Sequence, residues 1–285
     1  MRIALGITYS GTAYDGWQSQ PSGRTIQDHL ERALGEFMAT PPPNVMCAGR
    51  TDAGVHGLMQ VAHFDAPVNR TESSWVRGTN RYLPADVAVQ WAKAVPDSFH
   101  ARACATSRRY AYIVLESAVR PSLDATRVGW VFKPLDHAAM RRAADYLQGE
   151  HDFSSFRAAQ CQALSPVKTL QPIRITRQGA YWRFDFEGSA FLHHMIRNIM
   201  GCLIAVGQGS RPPEWMQQVL LARSRQVAAP TFSADGLYFL GPRYPAHWGL
   251  PEHVAGFDWL PSATGTATSG TFPCNPASDT TDALP

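Results

Sequence analysis

Strand and helix signals along this 285-residue chain predict an α+β fold of two ferredoxin-like βαββαβ halves, their sheets side by side around a central cleft. Three observations carry that expectation. Apolar residues alternate with period two in short runs and recur near period 3.6 between them, the spacings of strands and amphipathic helices. One strand-helix-strand-strand-helix-strand order is complete by about residue 95, and a similar order begins again after residue 105. The length also suffices for two ordinary domains with cores of their own. The expected boundaries are 1–104, 105–250 and a tail at 251–285.

In the first half, Ile3, Leu5, Ile7 and Tyr9 alternate as in a half-buried strand. Thr25 is placed to cap a helix, with Asp28 three residues on and Ile26, Leu30, Ala33, Leu34, Phe37 and Met38 at helical spacing, and Pro41-Pro42-Pro43 ends it. Strands at about 44–50 and 57–65 flank a glycine-rich loop, followed by a weaker helix at 72–82 and a strand at 87–95. The second half opens with a strand at 108–115 and a helix at 136–147 that keeps Leu135, Ala139, Ala143 and Leu147 in register. A hairpin pairs 170–177 with 181–187 through Gln178-Gly179-Ala180, a helix spans 190–206, and a strand at 236–241 closes the half. Beyond Pro251 the chain turns to Pro, Ala, Gly, Ser and Thr with few apolar anchors, which predicts a disordered, dispensable tail.

The early part of the chain has no apolar stretch near the roughly 18 to 20 residues of a membrane span and no charged-then-apolar signal segment, so a soluble, cytoplasmic protein is expected. Cys47, Cys104, Cys161, Cys202 and Cys274 are odd in number, widely separated and lack zinc-site spacing, and read as reduced bystanders. His193 and His194 are adjacent and so point to different faces of the helix at 190–206, while His56 and His63 lack a third partner; no metal site is expected. The net charge of +3 is unevenly spread: residues 1–100 hold 8 Lys+Arg against 9 Asp+Glu, 101–250 hold 18 against 10, and 251–285 hold none against 4. Of the 26 basic residues 23 are arginine, whose guanidinium binds phosphate in two-pronged fashion and stacks on bases. Arg108, Arg109, Arg141, Arg142, Arg174, Arg177 and Arg183 are candidates for a phosphate track, or for a solvated polar face.

The most informative segment is Ala48-Gly49-Arg50-Thr51-Asp52-Ala53-Gly54-Val55-His56-Gly57. Its three glycines permit tight turns and close approach to a ligand, so it reads as a shaped loop at a strand end. Arg50 stands two positions before Asp52, and a positive group within about 4 to 6 Å favours an ionised carboxylate. Three roles are open to Asp52: nucleophile, general base, or bracket of a structural turn.

The run Gly49 to His56, with the strand Met59 to Asp65 behind it, resembles the signature of the TruA family of tRNA pseudouridine synthases. Four further blocks in the same order resemble that family: Tyr9 to Gln18 with Thr25-Ile26-Gln27; Ser107-Arg108-Arg109-Tyr110-Ala111-Tyr112; Phe191 to Asn198; and Ala229-Pro230 through Gly236-Leu237-Tyr238. The resemblance implies conversion of uridine to its C5-linked isomer, without cofactor, in a cleft between the halves. It implies the anticodon stem-loop of tRNA as substrate, near about positions 38–40, recognised by shape and backbone, and a homodimer.

Residue by residue, the resemblance makes Asp52 the essential carboxylate and Arg197 its partner, and an arginine amid Met195, Ile196, Ile199 and Met200 needs such a partner on physical grounds too. Tyr110 is implied to stack on the target base and take the C5 proton, Leu237 to close the apolar side of the uracil pocket, and Arg50 to hold the extruded nucleotide. Arg108 and Arg109 precede Tyr110 as phosphate contacts. Asp52 could attack C6, attack C1′ or remove the C2′ proton. Two other readings are a non-catalytic RNA-binding protein, and a hydrolase in which Asp52 works with His56 or His63.

Overall fold

The computed structural model describes residues 1–251, so the tail expected at 251–285 lies, after Pro251, outside the described residues. Among the described residues the fold is mixed α+β: one central sheet of eleven strands with five α-helices. The first part runs β1 (Arg2–Tyr9), α1 (Ile26–Met38), β2 (Met46–Cys47), β3 (His56–Asp65), α2 (Glu72–Asn80) and β4 (Val87–Val95), in the order expected. β1 lies between β3 and β4, antiparallel to both.

Thr25 caps α1 as its spacing predicts: its hydroxyl accepts from the Asp28 N–H at 3.2 Å, and its own N–H donates to the Asp28 carboxylate at 3.2 Å. α1 thereby lays Ile26, Leu30 and Leu34 against Ile3, Leu5 and Ile7 of β1, with Trp75 of α2 and Phe64 of β3 in the same cluster. Each such side chain, fully buried, contributes roughly 1.5–3 kcal/mol. The opposite face is buried as well, Ala4 and Val61 packing with Phe99 and Ala101. The strand expected at 44–50 is short, Met46–Cys47, and after the Ala48 N–H donates to the Val61 carbonyl at 2.8 Å the chain leaves the ladder to form the loop that carries Asp52.

The second part is richer than βαββαβ. It runs β5 (Ser107–Glu116), β6 (Gly129–Val131), α3 (His137–Asp145), β7 (Gly149–Asp152), β8 (Val167–Leu170), β9 (Arg174–Gln178), β10 (Tyr181–Gly188), α4 (Met195–Gly207), α5 (Trp215–Ala222) and β11 (Leu237–Arg243). β6, β7 and α5 carry too few residues for a periodic signal. The single strand expected at 170–177 is two, β8 and β9, with Pro172 between them, a residue that has no N–H to give a ladder. The β9–β10 hairpin turns at Gly179 as expected.

The sheet order is β4-β1-β3-β11-β5-β10-β8-β7, with β2, β6 and β9 as side branches. The halves do not present two separate sheets. β11, the last strand, enters between them, parallel to β3 through Tyr238↔His56 and Phe239↔Gly57 and antiparallel to β5. The seam therefore falls where β3 begins, four residues after Asp52. Among the described residues no helix is long and apolar enough to cross a membrane.

His63 of β3 illustrates how the first part responds to acid. Its Nδ1 accepts the Ala101 N–H at 3.2 Å, and burial, aided by the neighbouring His100 and Arg2 charges, lowers its pKa to about 4. A histidine held neutral in the native state gives an unfolded chain that binds more protons between the two pKa values. The melting temperature is accordingly expected to fall as pH drops from about 6.5 to about 4. In His63→Asn that fall is expected to be shallower; calorimetric melts across the interval read it, and an unchanged slope would contradict this role.

Candidate active site

The Asp52 loop is tied down at both ends. Buried Gln60 of β3 donates through its amide to the Gly49 carbonyl and accepts from the Gly49 N–H at 3.4 Å. The Thr51 carbonyl accepts the Trp17 N–H at 3.0 Å, and the Thr51 hydroxyl meets the Tyr9 hydroxyl at 2.9 Å in a buried contact. A turn closes through Val55 N–H to the Asp52 carbonyl at 3.2 Å, with Gly54 at φ +82°, a conformation that favours glycine. The loop thus presents Asp52 from a braced backbone, its side chain 19% exposed.

Gly57 makes the Tyr9 brace fit. The two residues are cross-strand partners, and a Cβ on Gly57 would lie 2.4 Å from the Tyr9 ring. Gly57→Ala is expected to displace that ring and cost about 1–3 kcal/mol. Chemical denaturation reads the loss; a stability within about 0.5 kcal/mol of the parent would show that the ring yields freely.

Arg197 stands in the first turn of α4. Its Nη1 reaches Asp52 Oδ2 at 3.2 Å and its Nε donates to the Phe232 carbonyl at 3.0 Å, while the Phe232 N–H donates to the Arg197 carbonyl at 3.1 Å. The guanidinium, 17% exposed in its side chain, is thereby aimed from the second half of the chain onto the carboxylate of the first. Residues before Met195 are not helical, contrary to the helix expected at 190–206. His194 adopts a left-handed conformation, φ 62°, and the helix begins after it.

That change of conformation overturns the expectation that His193 and His194 diverge. Both Nε2 atoms face Asp52, His193 at 3.5 Å from Oδ1 and His194 at 3.5 Å from Oδ2, with ring centroids 4.0 Å apart. Burial holds the His194 imidazole below its ordinary pKa. The adjacent histidine pair just ahead of Arg197 was the signal in the chain, and the assumption of a continuous helix hid it. His56 and His63 are elsewhere: His56 accepts the Gly11 N–H at 3.2 Å, has its Nε2 3.1 Å from the Thr126 carbonyl and stacks on Tyr238. Neither is the partner that a hydrolase reading assigned to Asp52.

Tyr110 of β5 is 7% exposed, between Phe191 edge-on at 5.2 Å and Phe239 at 4.9 Å. Burial, then the neighbouring Tyr9 and the Asp52 charge, push its phenol above the ordinary value, so it is neutral near pH 7. A Cβ placed on Gly49 would come 3.7 Å from its hydroxyl, which puts the ring against the start of the Asp52 loop. Leu237, buried at the start of β11, belongs to the same core cluster as Tyr110 and Phe239. Arg50 is exposed and reaches Gln162 Oε1 at 3.3 Å.

The two arginines before Tyr110 diverge. Arg108 donates to the carbonyls of Ala48, Ala105, Ser189 and Arg102, so its guanidinium clamps backbone from both halves and is not a free phosphate contact. Arg109 points to the other face of the strand and lines a cleft of about 940 Å³ with Arg141, Arg174, Arg183 and Arg243. Asp145, Asp185 and Glu187 share that lining. Arg177 instead pairs with Glu116 at 2.9 Å. Cys47, Cys104, Cys161 and Cys202 are free thiols, and Cys274 lies outside the described residues.

The family model described as tRNA pseudouridine synthase matches residues 7–102 and 143–245. The chain belongs to the tRNA pseudouridine synthase family. Relatives agree: "tRNA pseudouridine synthase A" of Polaromonas naphthalenivorans (strain CJ2) is 68% identical over 265 residues, covering 92% of this chain and 100% of the relative. Proteins of the same name from Albidiferax ferrireducens, 67% identical, and Acidovorax ebreus (strain TPSY), 65% identical, are covered to the same extent. The reaction class of this tRNA pseudouridine synthase family is isomerisation, the formation of pseudouridine in tRNA. Arg50, Asp52, Arg197 and Leu237 fall inside the matched stretches, and Arg108, Arg109 and Tyr110 between them.

Proposed function

We propose that this chain isomerises uridine in the anticodon stem-loop of tRNA, near about positions 38–40, with Asp52 as the essential carboxylate. The observation that supports this most directly is the contact of Asp52 Oδ2 with Arg197 Nη1 at 3.2 Å across the seam of the sheet. A carboxylate oriented by a guanidinium, at the tip of a braced turn, is a positioned nucleophile or base. The target base leaves its stack to reach it. The N1–C1′ bond then breaks, the uracil turns within the site, C5 bonds to C1′, the C5 proton departs and N1, freed of the sugar, takes up a proton. Asp52 serves that sequence by attack at C6, by attack at C1′, or by taking the C2′ proton.

In this reading Tyr110 stacks on the uracil after Phe191 turns from its edge, and Leu237 closes the apolar side. The Tyr110 phenol is neutral, so to accept the C5 proton it must give up its own. Arg50, exposed above the loop, holds the extruded nucleotide. Arg108 shapes the Ala48 end of the loop, and Arg109 with its arginine neighbours takes phosphate. Residues 1–104 and 105–250 act as two ferredoxin-like halves contributing Asp52 and Arg197 respectively, in a cytoplasmic homodimer.

The test is chemical mapping of pseudouridine in tRNA transcripts after incubation with the purified chain. Modification confined to the anticodon arm is the expected result. Pseudouridine only at other positions would defeat the substrate assignment.

A further inference from the structure

We propose that Asp52, His193 and His194 form a binding site for a divalent transition-metal ion of the Zn²⁺ type, and that an ion bound there switches the carboxylate off. One ligand atom from each residue lies within 4.8 Å of the others. Around a tetrahedral zinc, with bonds of about 2.0–2.2 Å, ligand atoms lie roughly 3.3–3.5 Å apart. His193 Nε2 is 3.5 Å from Asp52 Oδ1 and His194 Nε2 is 3.5 Å from Oδ2, so whichever oxygen binds has one imidazole already at that spacing, and rotation of the other ring and of the carboxylate closes the rest from within 4.8 Å.

These contacts are also too long for good hydrogen bonds. Three polar groups converge on one space without being committed to one another. The left-handed backbone of His194 is what turns two sequence neighbours onto that space, and strain of this kind persists where the surroundings enforce it. Arg197 stays on Asp52 Oδ2 as the outer partner that orients the carboxylate, and its charge limits the affinity. With side chains 36% and 31% exposed, His193 and His194 leave the ion a path from solvent.

The donor set chooses the ion. Two imidazoles and one carboxylate suit Zn²⁺, Co²⁺ or Ni²⁺, whereas Mg²⁺ and Ca²⁺ take oxygen ligands. The binding claim stands independently of the proposed reaction; the inhibition claim rests on it, since it requires Asp52 to be free during turnover.

The experiment is calorimetric titration of the metal-free full chain with Zn²⁺, beside His193→Ala/His194→Ala and Asp52→Asn, with melts to establish that each variant is folded. The expected result is one site in the wild type, weakened about tenfold or more in both variants and absent for Mg²⁺. In parallel, Zn²⁺ is expected to stop tritium release from tRNA and EDTA to restore it. Equal Zn²⁺ affinity in the folded variants, or no uptake by the wild type at micromolar Zn²⁺, would overturn the site. Zn²⁺ uptake that depends on these residues in a chain without synthase activity would leave the metal site standing and remove the reading of the function.

Discussion

Asp52→Asn is expected to lower pseudouridine formation by about 10⁴-fold or more, the scale seen when a reacting group is removed from an otherwise intact site. The substitution keeps the size of the side chain and leaves an oxygen for Arg197, so the loop, braced by Tyr9, Gln60 and Trp17, retains its shape. What it removes is the negative charge and the lone pair that would attack carbon or take a proton. Tritium release from tRNA carrying [5-³H]uridine reads the chemistry, and filter binding reads the complex. Release lost with binding kept is the expected pair of results. Release at the parental rate would remove Asp52 from the mechanism, and binding without release by either protein would favour a non-catalytic RNA-binding module.

Arg197→Ala is expected to carry the second largest effect and a different pattern. The guanidinium serves two partners from opposite ends, Asp52 Oδ2 and the Phe232 carbonyl, in a region where both side chains of the ion pair are under one-fifth exposed. Removing one member of such a pair leaves a carboxylate without its counter-charge and unties the 228–236 segment that leads into β11. A loss of about 2.7–4 kcal/mol in transition-state stabilisation, roughly 10²–10³-fold in kcat/KM, is expected, together with a lower melting temperature. Arg197→Lys is expected to recover stability in part but not rate, because one ammonium cannot span both partners with fixed geometry. Steady-state kinetics and melts on both variants separate the two losses. A lysine variant with full activity would show that charge alone suffices.

Much of this was legible in the chain. Thr25 and Asp28 spelled out their capping box, and the period-two run Ile3, Leu5, Ile7, Tyr9 marked the strand β1. The Arg50 to His56 run carried its own meaning, since glycines around a single carboxylate have few uses outside a shaped loop. Arg197 was legible because a guanidinium amid apolar helix residues must find an anion. Arg108 was less legible: nothing in the local run says that its guanidinium reaches the carbonyls of Ala48 and Ser189, far away in sequence, beside those of Arg102 and Ala105.

Local chemistry alone settled the caps, the strand alternation, the loop and Arg197's need of an anion, and the resemblance singled out Asp52 as that anion. The rest required the folded chain, because it depends on contacts between residues more than a hundred positions apart. β11 joins the halves into one sheet through a two-residue parallel contact that leaves no periodic trace. The meeting of Asp52 with Arg197 spans 145 positions. His193 and His194 face the same carboxylate only because one backbone angle, at His194, leaves the helical region. Spacing rules assume a regular element, and at this site the regular element stops.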